Sequence, residues 1–449
     1  LTVGTWHLRL DPVLERQTAR SEHAEVLVIG HAFDDGGPKA RDRVAARILR
    51  AATTHPHPDG QTRALDEAIA WLSGRYVVLV ARGDRLDAWG DALASRSLYW
   101  RRGTDGVALA SHTELLSQLA GGLESGRMRW IMEHPDYTDP AGRWLPGLIT
   151  PHDGVGQIYA NGRLTVRGDE VVHERFFPME DRVELGPREA ATRFRDELAQ
   201  QVRNWISVAP LTVLTLTAGR DSRAVLEAGL LDLQRAGAVA MTYHPFHVPA
   251  KSTLADLQTA NRLATAAGLH HLALDVPAMQ RTSAMAGLYD ETFPTWRRYA
   301  NLANALYLGA PAKAATLFGV GGAIITGMYK DTSAAAPTPE LLAAKYAQSR
   351  FRDDPALHAE LAEWMAFTQF SAPALRGYDF HDFFHWEHRM SKWAASGYSE
   401  YDLATIPAPV LSSRRLLVAA LSLPKPLRVD ALVYRYIRDG EAALESVGA

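Results

Sequence analysis

The sequence predicts an α/β chain of two domains, a β-rich N-terminal half and a C-terminal half built on a parallel sheet. Three observations carry that expectation. The chain has 449 residues, too many for one ordinary hydrophobic core. Residues 1–180 are crowded with short apolar runs broken by turn residues. From residue 211 onward, β-branched apolar runs alternate with helical patterns, as when helices cover a parallel sheet.

In the first half, EVLVIGHAF (25–33), GRYVVLVARGDRLDAWG (74–90) and GVALAS (106–111) read as strands. Gly83-Asp84 and Asp105-Gly106 supply turns, and helical patterns lie at Arg41–Ala52 and Thr62–Ser73. A hairpin is expected at Gly156–Val166 around Asn161-Gly162. The stretch FFPMEDRVELGP (176–187) reads as a linker, and Pro187 opens a long helix, Arg188–Ile206.

The second half begins with LTVLTLTAGRDSR (211–223). The apolar run Leu211 to Leu216 breaks into Thr217-Ala218-Gly219-Arg220-Asp221-Ser222, and a helical pattern starts at Ala224. A small-residue loop between strand and helix leaves backbone N–H groups at a helix N-terminus, where the dipole favours an anion. The same residues also suit an ordinary βα turn with Asp221 as the helix cap. A helix at 224–235, a strand Ala238–Tyr243, a helix Thr253–Ala267 and a strand His271–Leu274 follow. From about 280 the chain reads mostly helical, and TSAAAPTP (332–339) reads as a surface loop.

Composition narrows the function. Hydrophobic residues make up 47% and charged residues 22%, typical of a soluble globular protein. A net charge of −3 gives no broad electrostatic footprint for nucleic acid. With no cysteine there is no disulfide, thiolate metal site or cysteine nucleophile. No basic-then-apolar leader opens the sequence, and the longest apolar candidate, Ala314 to Ile325, is short of a membrane span. The expectation is a cytoplasmic protein with neither nucleic acid nor membrane as partner.

Taken in order, these segments resemble the asparagine synthetase and β-lactam synthetase family. GRYVVLVARGDRLDAWGDALASRSLYW (74–100) is similar to its glutaminase-type half, with Asp91, Arg96 and Tyr99 after a strand pair. GVGQIYANGRL (154–164) and RFFP (175–178) fit as well. The loop at 217–222 resembles the pyrophosphate-binding loop of ATP pyrophosphatases, Ser-Gly-Gly-x-Asp-Ser, with Thr217 for the first Ser and Ala218 for the first Gly. VAMTYHPFHVPAKSTLADLQTANRLATAAGLHH (239–271) is similar to the family's adenine-binding strand and the acidic helix start after it. GVGGAIITGMY (319–329) stands where the family has a second glycine loop. DFFHWEHRMSKWAA (382–395) and APVLSSRRLLVAALSLP (408–424) resemble its helical end.

The resemblance implies a degenerate glutaminase-like domain at 1–180, an αββα sandwich of the N-terminal-nucleophile type. It implies an ATP-binding synthetase domain at 187–449, a parallel-sheet α/β fold like the adenine-nucleotide α-hydrolases. The activity it implies uses ATP and Mg2+ to turn a small-molecule or peptide carboxylate into an acyl-adenylate, then joins it to an amine. Lactam or macrolactam closure in bacterial natural-product or peptide-modification biosynthesis is the expected setting. A homodimer or a partner biosynthetic protein fits that setting. Glutaminases of the family need a Cys with a free α-amine. Here the chain begins Leu1-Thr2, and Thr2 would serve only if Leu1 were removed. The first domain is therefore expected to be structural, with the amine supplied as ammonia or as part of the substrate.

By the same resemblance, Thr217, Ala218, Gly219, Arg220, Asp221 and Ser222 hold the phosphates, Thr242 lies by the adenine, and Gly319, Gly321 and Gly322 form the second loop. Asp221 is the expected Mg2+ ligand. The family usually places acids in the second loop, but Val320-Gly321-Gly322-Ala323-Ile324 has none, and Thr326 replaces a frequent arginine. Two readings stand. Either Asp221 holds Mg2+ with help from an acid such as Asp256 or Asp331, or the site is degenerate and the chain is a binding or scaffold protein.

Glu387, among Phe383, Phe384 and Trp386, suits a buried general base of raised pKa, or an ion pair with Arg389. Lys425, between Pro424 and Pro426, suits stabilising a tetrahedral intermediate or leaving phosphate, or is an exposed turn lysine. His381, His385 and His388 have the helical spacing of a metal face, but no HExxH is present and the aromatic neighbours favour core packing.

Overall fold

The computed structural model describes residues 1–34, 43–104, 106–119, 124–137, 144–330 and 335–445. The fold is mixed α/β, with antiparallel sheets and one parallel sheet. The chain divides into two units, Leu1–Arg182 with Tyr329–Ser396, and Val183–Met328 with Gly397–Ala449. The segment expected as one synthetase domain, 187–449, is thus shared between them, with 329–396 assigned to the first.

The first unit holds β1 (Thr2–Val3), β2 (Trp6–His7), β3 (Arg16–Arg20), β4 (Glu25–Phe33), β5 (Ser73–Arg82), β6 (Arg85–Gly90), β7 (Tyr99–Gly103), β8 (Gly106–Ala110), β9 (Val155–Gln157), β10 (Gly162–Arg167) and β11 (Glu170–Arg175). Six strands form one antiparallel sheet in the order β11-β10-β6-β5-β4-β3, and three form another, β8-β7-β9. Alternation along β5 decides what each face meets. Val77, Leu79 and Ala81 join a core with Leu27, Leu86 and Leu164, against which Trp100, Val107 and Leu109 of the small sheet pack. Residues on the opposite face meet helices α1 (Val44–Thr54) and α2 (Pro58–Ala70). There the Tyr76 hydroxyl donates to Ile69 O, and the Trp89 indole donates to Asp66 at 2.9 Å. Helices α3 (Thr113–Gln118) and α4 (Gly126–Glu133) follow, with α3 against β7 and β8.

The expected hairpin at 156–166 is not formed. β9 pairs with β7, whereas β10 pairs with β6 and β11. Asn161 takes a left-handed φ of 66° and marks where the chain crosses from one sheet to the other, not a strand-pairing turn. Asp105, Arg41, Asp331 and Thr332–Ala334 lie outside the described residues.

The part of 329–396 nearest its end is buried on nearly every side, its polar and charged side chains included. The helix Phe380–Phe384 runs into a π-helical stretch, His385–Ala394, that buries Phe383, Phe384, Trp386 and Met390. Such a segment must be enclosed all round. The Trp386 indole donates to Ala92 O at 2.6 Å and Lys392 Nζ to Ile149 O at 2.6 Å.

The second unit carries β12 (Thr212–Thr215), β13 (Val239–His244), β14 (His270–Asp275), β15 (Ala315–Phe318) and β16 (Ile406–Pro409), all parallel, in the order β14-β13-β12-β15-β16. Val213 and Leu214 of β12 are fully buried, as expected of a strand covered on both faces. Its helices include α5 (Pro187–Ile206), α6 (Arg220–Arg235), α7 (Lys251–Ala266), α8 (Ala284–Thr292), α9 (Ala300–Gly309) and the single turn α10 (Gly322–Ile325). The stripe Ala190, Phe194, Leu198, Val202 and Trp205 gives α5 its buried face. From β12 the chain winds outward through β13 and β14, then returns to β12's other side with β15. Winding therefore reverses between β12 and β15.

Candidate functional site

In open α/β sheets, ligands bind at the carboxyl ends of the strands where the winding reverses. Here the two segments leaving those ends are 216–222 after β12 and 319–322 after β15. Both sequence-predicted loops therefore flank the switch point.

The first loop is shorter than expected. Helix α6 begins at Arg220, so Arg220, Asp221 and Ser222 form its first turn and Gly219 is the N-cap. Gly219 has no side chain to take the first-turn amides, which keeps that end accessible to an anion. The loop amides themselves turn inward. Thr217 N–H donates to Ser222 Oγ at 3.1 Å, Ala218 N–H to an Asp256 carboxylate oxygen at 2.9 Å, and Gly219 N–H to Thr217 Oγ1 at 3.0 Å. Asp256, on α7, thus sits on the loop.

Asp221 points the other way, toward the second loop. A Cβ built on Gly322 would lie 2.1 Å from the Asp221 carboxyl carbon, so only glycine leaves room for that carboxylate. A Cβ on Gly319 would lie 3.2 Å from the Ser222 amide nitrogen. Gly321 caps α10 with a left-handed φ of 116°. Burial pushes the Asp221 carboxyl above the usual carboxylate range, while the Tyr434 hydroxyl and Arg220 oppose the shift.

Thr242 is held rather than open. Its hydroxyl donates to Leu216 O at 2.7 Å and lies 2.9 Å from His271 Nε2, which ties β13 to the residue preceding the loop. Lys425 is half-buried, not an exposed turn lysine. It opens the short helix Lys425–Val429, and its stem lies 3.3 Å from where a Gly327 Cβ would be. Arg428, one turn on, is buried and donates to Ile324 O at 3.4 Å.

Glu387 belongs to the first unit and stands in a buried ion pair, the second of the two expected readings, with a different partner. Arg175 donates to both of its oxygens, one of them at 2.7 Å, and the Asn161 amide donates at 3.0 Å. These donors occupy three of the roughly four lone-pair positions of a fully buried carboxylate. Its partner is Arg175, whereas Arg389 lies over the Trp144 and Trp393 rings. The three histidines are core residues. Burial, with Arg389 second, lowers His385 to about 3, and His388 lies 2.9 Å from the Trp144 indole nitrogen. Among the described residues no group of three or more His, Asp or Glu side chains could hold a metal.

Mg2+ usually takes one or two carboxylates with substrate phosphates, so the fit turns on the loops themselves. A site with acids from both loops does not fit these residues. The second loop contributes no carboxylate, Asp221 is packed flush on Gly322, and Asp256 approaches from the β13 flank of β12, opposite to Gly322.

Sequence reading missed Tyr434 and Arg428, which come from the C-terminal helices, and also Glu400. The Glu400 carboxylate, on the helix before β16, is buried and pushed up to about 7, chiefly by burial. It accepts from the Tyr289 hydroxyl at 2.6 Å and from the Arg298 and Tyr299 amides at 3.1 and 2.6 Å. Its neighbour Tyr401 stacks on Phe318, the last residue of β15, at 5.4 Å. The only local sign was a lone acid between tyrosines in GYSEYD (397–402).

No protein-family model matches the chain, and no curated protein does. Among solved structures 27 chains match. One is the allosteric regulatory enzyme of purine biosynthesis, at 11% identity and a TM-score of 0.25, covering 60% of this chain and 72% of that one. Another is glutamine phosphoribosylpyrophosphate amidotransferase from B. subtilis in complex with ADP and GMP, at 10% identity and a TM-score of 0.21, covering 71% of this chain and 60% of that one. Superpositions this loose say nothing about chemistry. No helix among the described residues is long and apolar enough to cross a membrane.

Proposed function

We propose that the chain is an ATP-dependent, AMP-forming amide ligase resembling asparagine and β-lactam synthetases, with a first unit of N-terminal-nucleophile-like sandwich type that plays a structural part. One observation carries the reading: a small-residue loop and helix N-terminus at the switch point of a parallel sheet, with the second glycine loop touching it through Gly319 and Gly322. In this reading the triphosphate lies over 217–222. A substrate carboxylate oxygen attacks the α-phosphorus, the bond to the bridging oxygen breaks, and pyrophosphate leaves. An amine then attacks the adenylate carbonyl, AMP leaves and the surplus proton passes to solvent. Lys425, beside the second loop, stabilises charge on the departing phosphate in this reading. With no cysteine in the chain, the amine comes from ammonia or from the substrate.

A second reading, a nucleotide-binding homologue without turnover, is favoured by the acid-free second loop. ATP–pyrophosphate exchange separates the two across a panel of small and peptide carboxylates. A ligase exchanges label, and Lys425→Ala lowers the exchange by about two orders of magnitude or more, in the range of losing one electrostatic catalytic group. ATP binding without exchange leaves the binding homologue. Neither binding nor exchange removes both.

A further inference from the structure

Resting on the nucleotide reading, the geometry points to a triphosphate site whose neutralising cations are the protein's own arginine and lysine side chains rather than a divalent metal. The place where a second acid would meet Asp221 across the switch point is filled by the backbone of Gly322, on which the Asp221 carboxylate rests. The segment 319–327 contains no acidic side chain. Beside it stand two cations instead. Lys425 lies along Gly327, and Arg428 reaches the Ile324 carbonyl, at the end of the single turn that Gly322 begins. In the nucleotide reading a phosphate chain that starts at the α6 N-terminus and runs along 319–327 meets Lys425 and Arg428 beside Gly327.

Arg220, exposed on the first turn of α6, supplies a third positive charge from the loop itself. The charges facing the site from the other side are Asp256, held by the Ala218 amide, and Asp221. Guanidinium groups bind phosphate oxygens in pairs and stay charged at any working pH, and lysine acts as a point charge. A site of this make-up takes free ATP as readily as its metal complex.

The test is calorimetric titration of ATP into the full chain, once with Mg2+ and once with EDTA. The two dissociation constants are expected to agree within about threefold. Lys425→Ala should weaken binding in EDTA by about tenfold, as for one lost charged hydrogen bond, and Lys425→Arg should restore most of it. Binding weaker by about a hundredfold or more in EDTA overturns the inference and leaves the nucleotide reading standing. Tight binding that ignores Lys425→Ala, with the variant folded by circular dichroism, also overturns it. No ATP binding under either condition overturns the nucleotide reading and this inference together.

Discussion

The first unit holds the bases that burial lowers furthest, beside raised acids such as Asp66 and Glu360, whereas in the second unit two raised carboxyls lie near strand ends of the parallel sheet. Burial lowers Lys392 to about 7, and His173 and His385 to about 3. In the second unit burial raises Glu400 to about 7 and Asp221 in the same direction. The arrangement differs as well. Glu387 is closed by Arg175 and Asn161, and Lys392 donates to a carbonyl, so these groups complete a core. Asp221 lies just past the carboxyl end of β12, and the aromatic neighbour of Glu400 stacks on the end of β15. A perturbed pKa marks a functional site only where the fold also opens one. In the proposed reading the second unit carries the site and the first is scaffold.

The sharpest way to break this contrast is Glu387→Gln. Stranding Arg175 in the interior should cost about 3–5 kcal/mol of folding stability. Chemical denaturation measures it, and an unchanged midpoint combined with abolished turnover would return Glu387 to the chemistry.

The next effect is opposite pH dependence in the two units. Glu400 has a folded pKa of about 7 against an ordinary value of 4.5. Across that window the folded chain keeps a proton that the unfolded chain has released, so stability falls as pH rises. Lys392, at about 7 against 10.5, behaves inversely. From pH 7 to 10.5 the unfolded chain keeps the proton, so stability rises with pH. Glu400→Gln should therefore gain on the wild type by about 2–3 kcal/mol between pH 5 and 8, while any advantage of Lys392→Met shrinks from pH 7 to 10. Thermal unfolding of both variants at those pH values checks the signs, and parallel trends would contradict the assignment.

Smaller again is Gly322→Ala. The added methyl must displace the Asp221 carboxylate, an overpacking cost of about 1–3 kcal/mol, and should weaken ATP binding at the same time. Lost stability with intact binding would separate Asp221 from the ligand.

Some of this was legible in the sequence. The run Leu211–Leu216 ending in Ala218-Gly219 marks strand and loop because both signals are local. β15 and β16 were not legible. The first is four residues long, and the second carries Pro407 and Pro409, tolerated because β16 lies at the sheet edge. Nor could spacing reveal that Glu387 pairs with Arg175, which lies 212 residues away, or that Gly322 exists to seat Asp221. The aromatic neighbours of Glu387 correctly signalled burial but are silent about the partner.

The central claim is that the switch point of the second unit is the ligand site. Amide hydrogen exchange with and without saturating ATP tests it most directly. The account predicts new protection concentrated in 216–223 and 319–327, with the amides of 380–394 unchanged. Protection confined to the first unit, or none anywhere at saturating ATP, would contradict it.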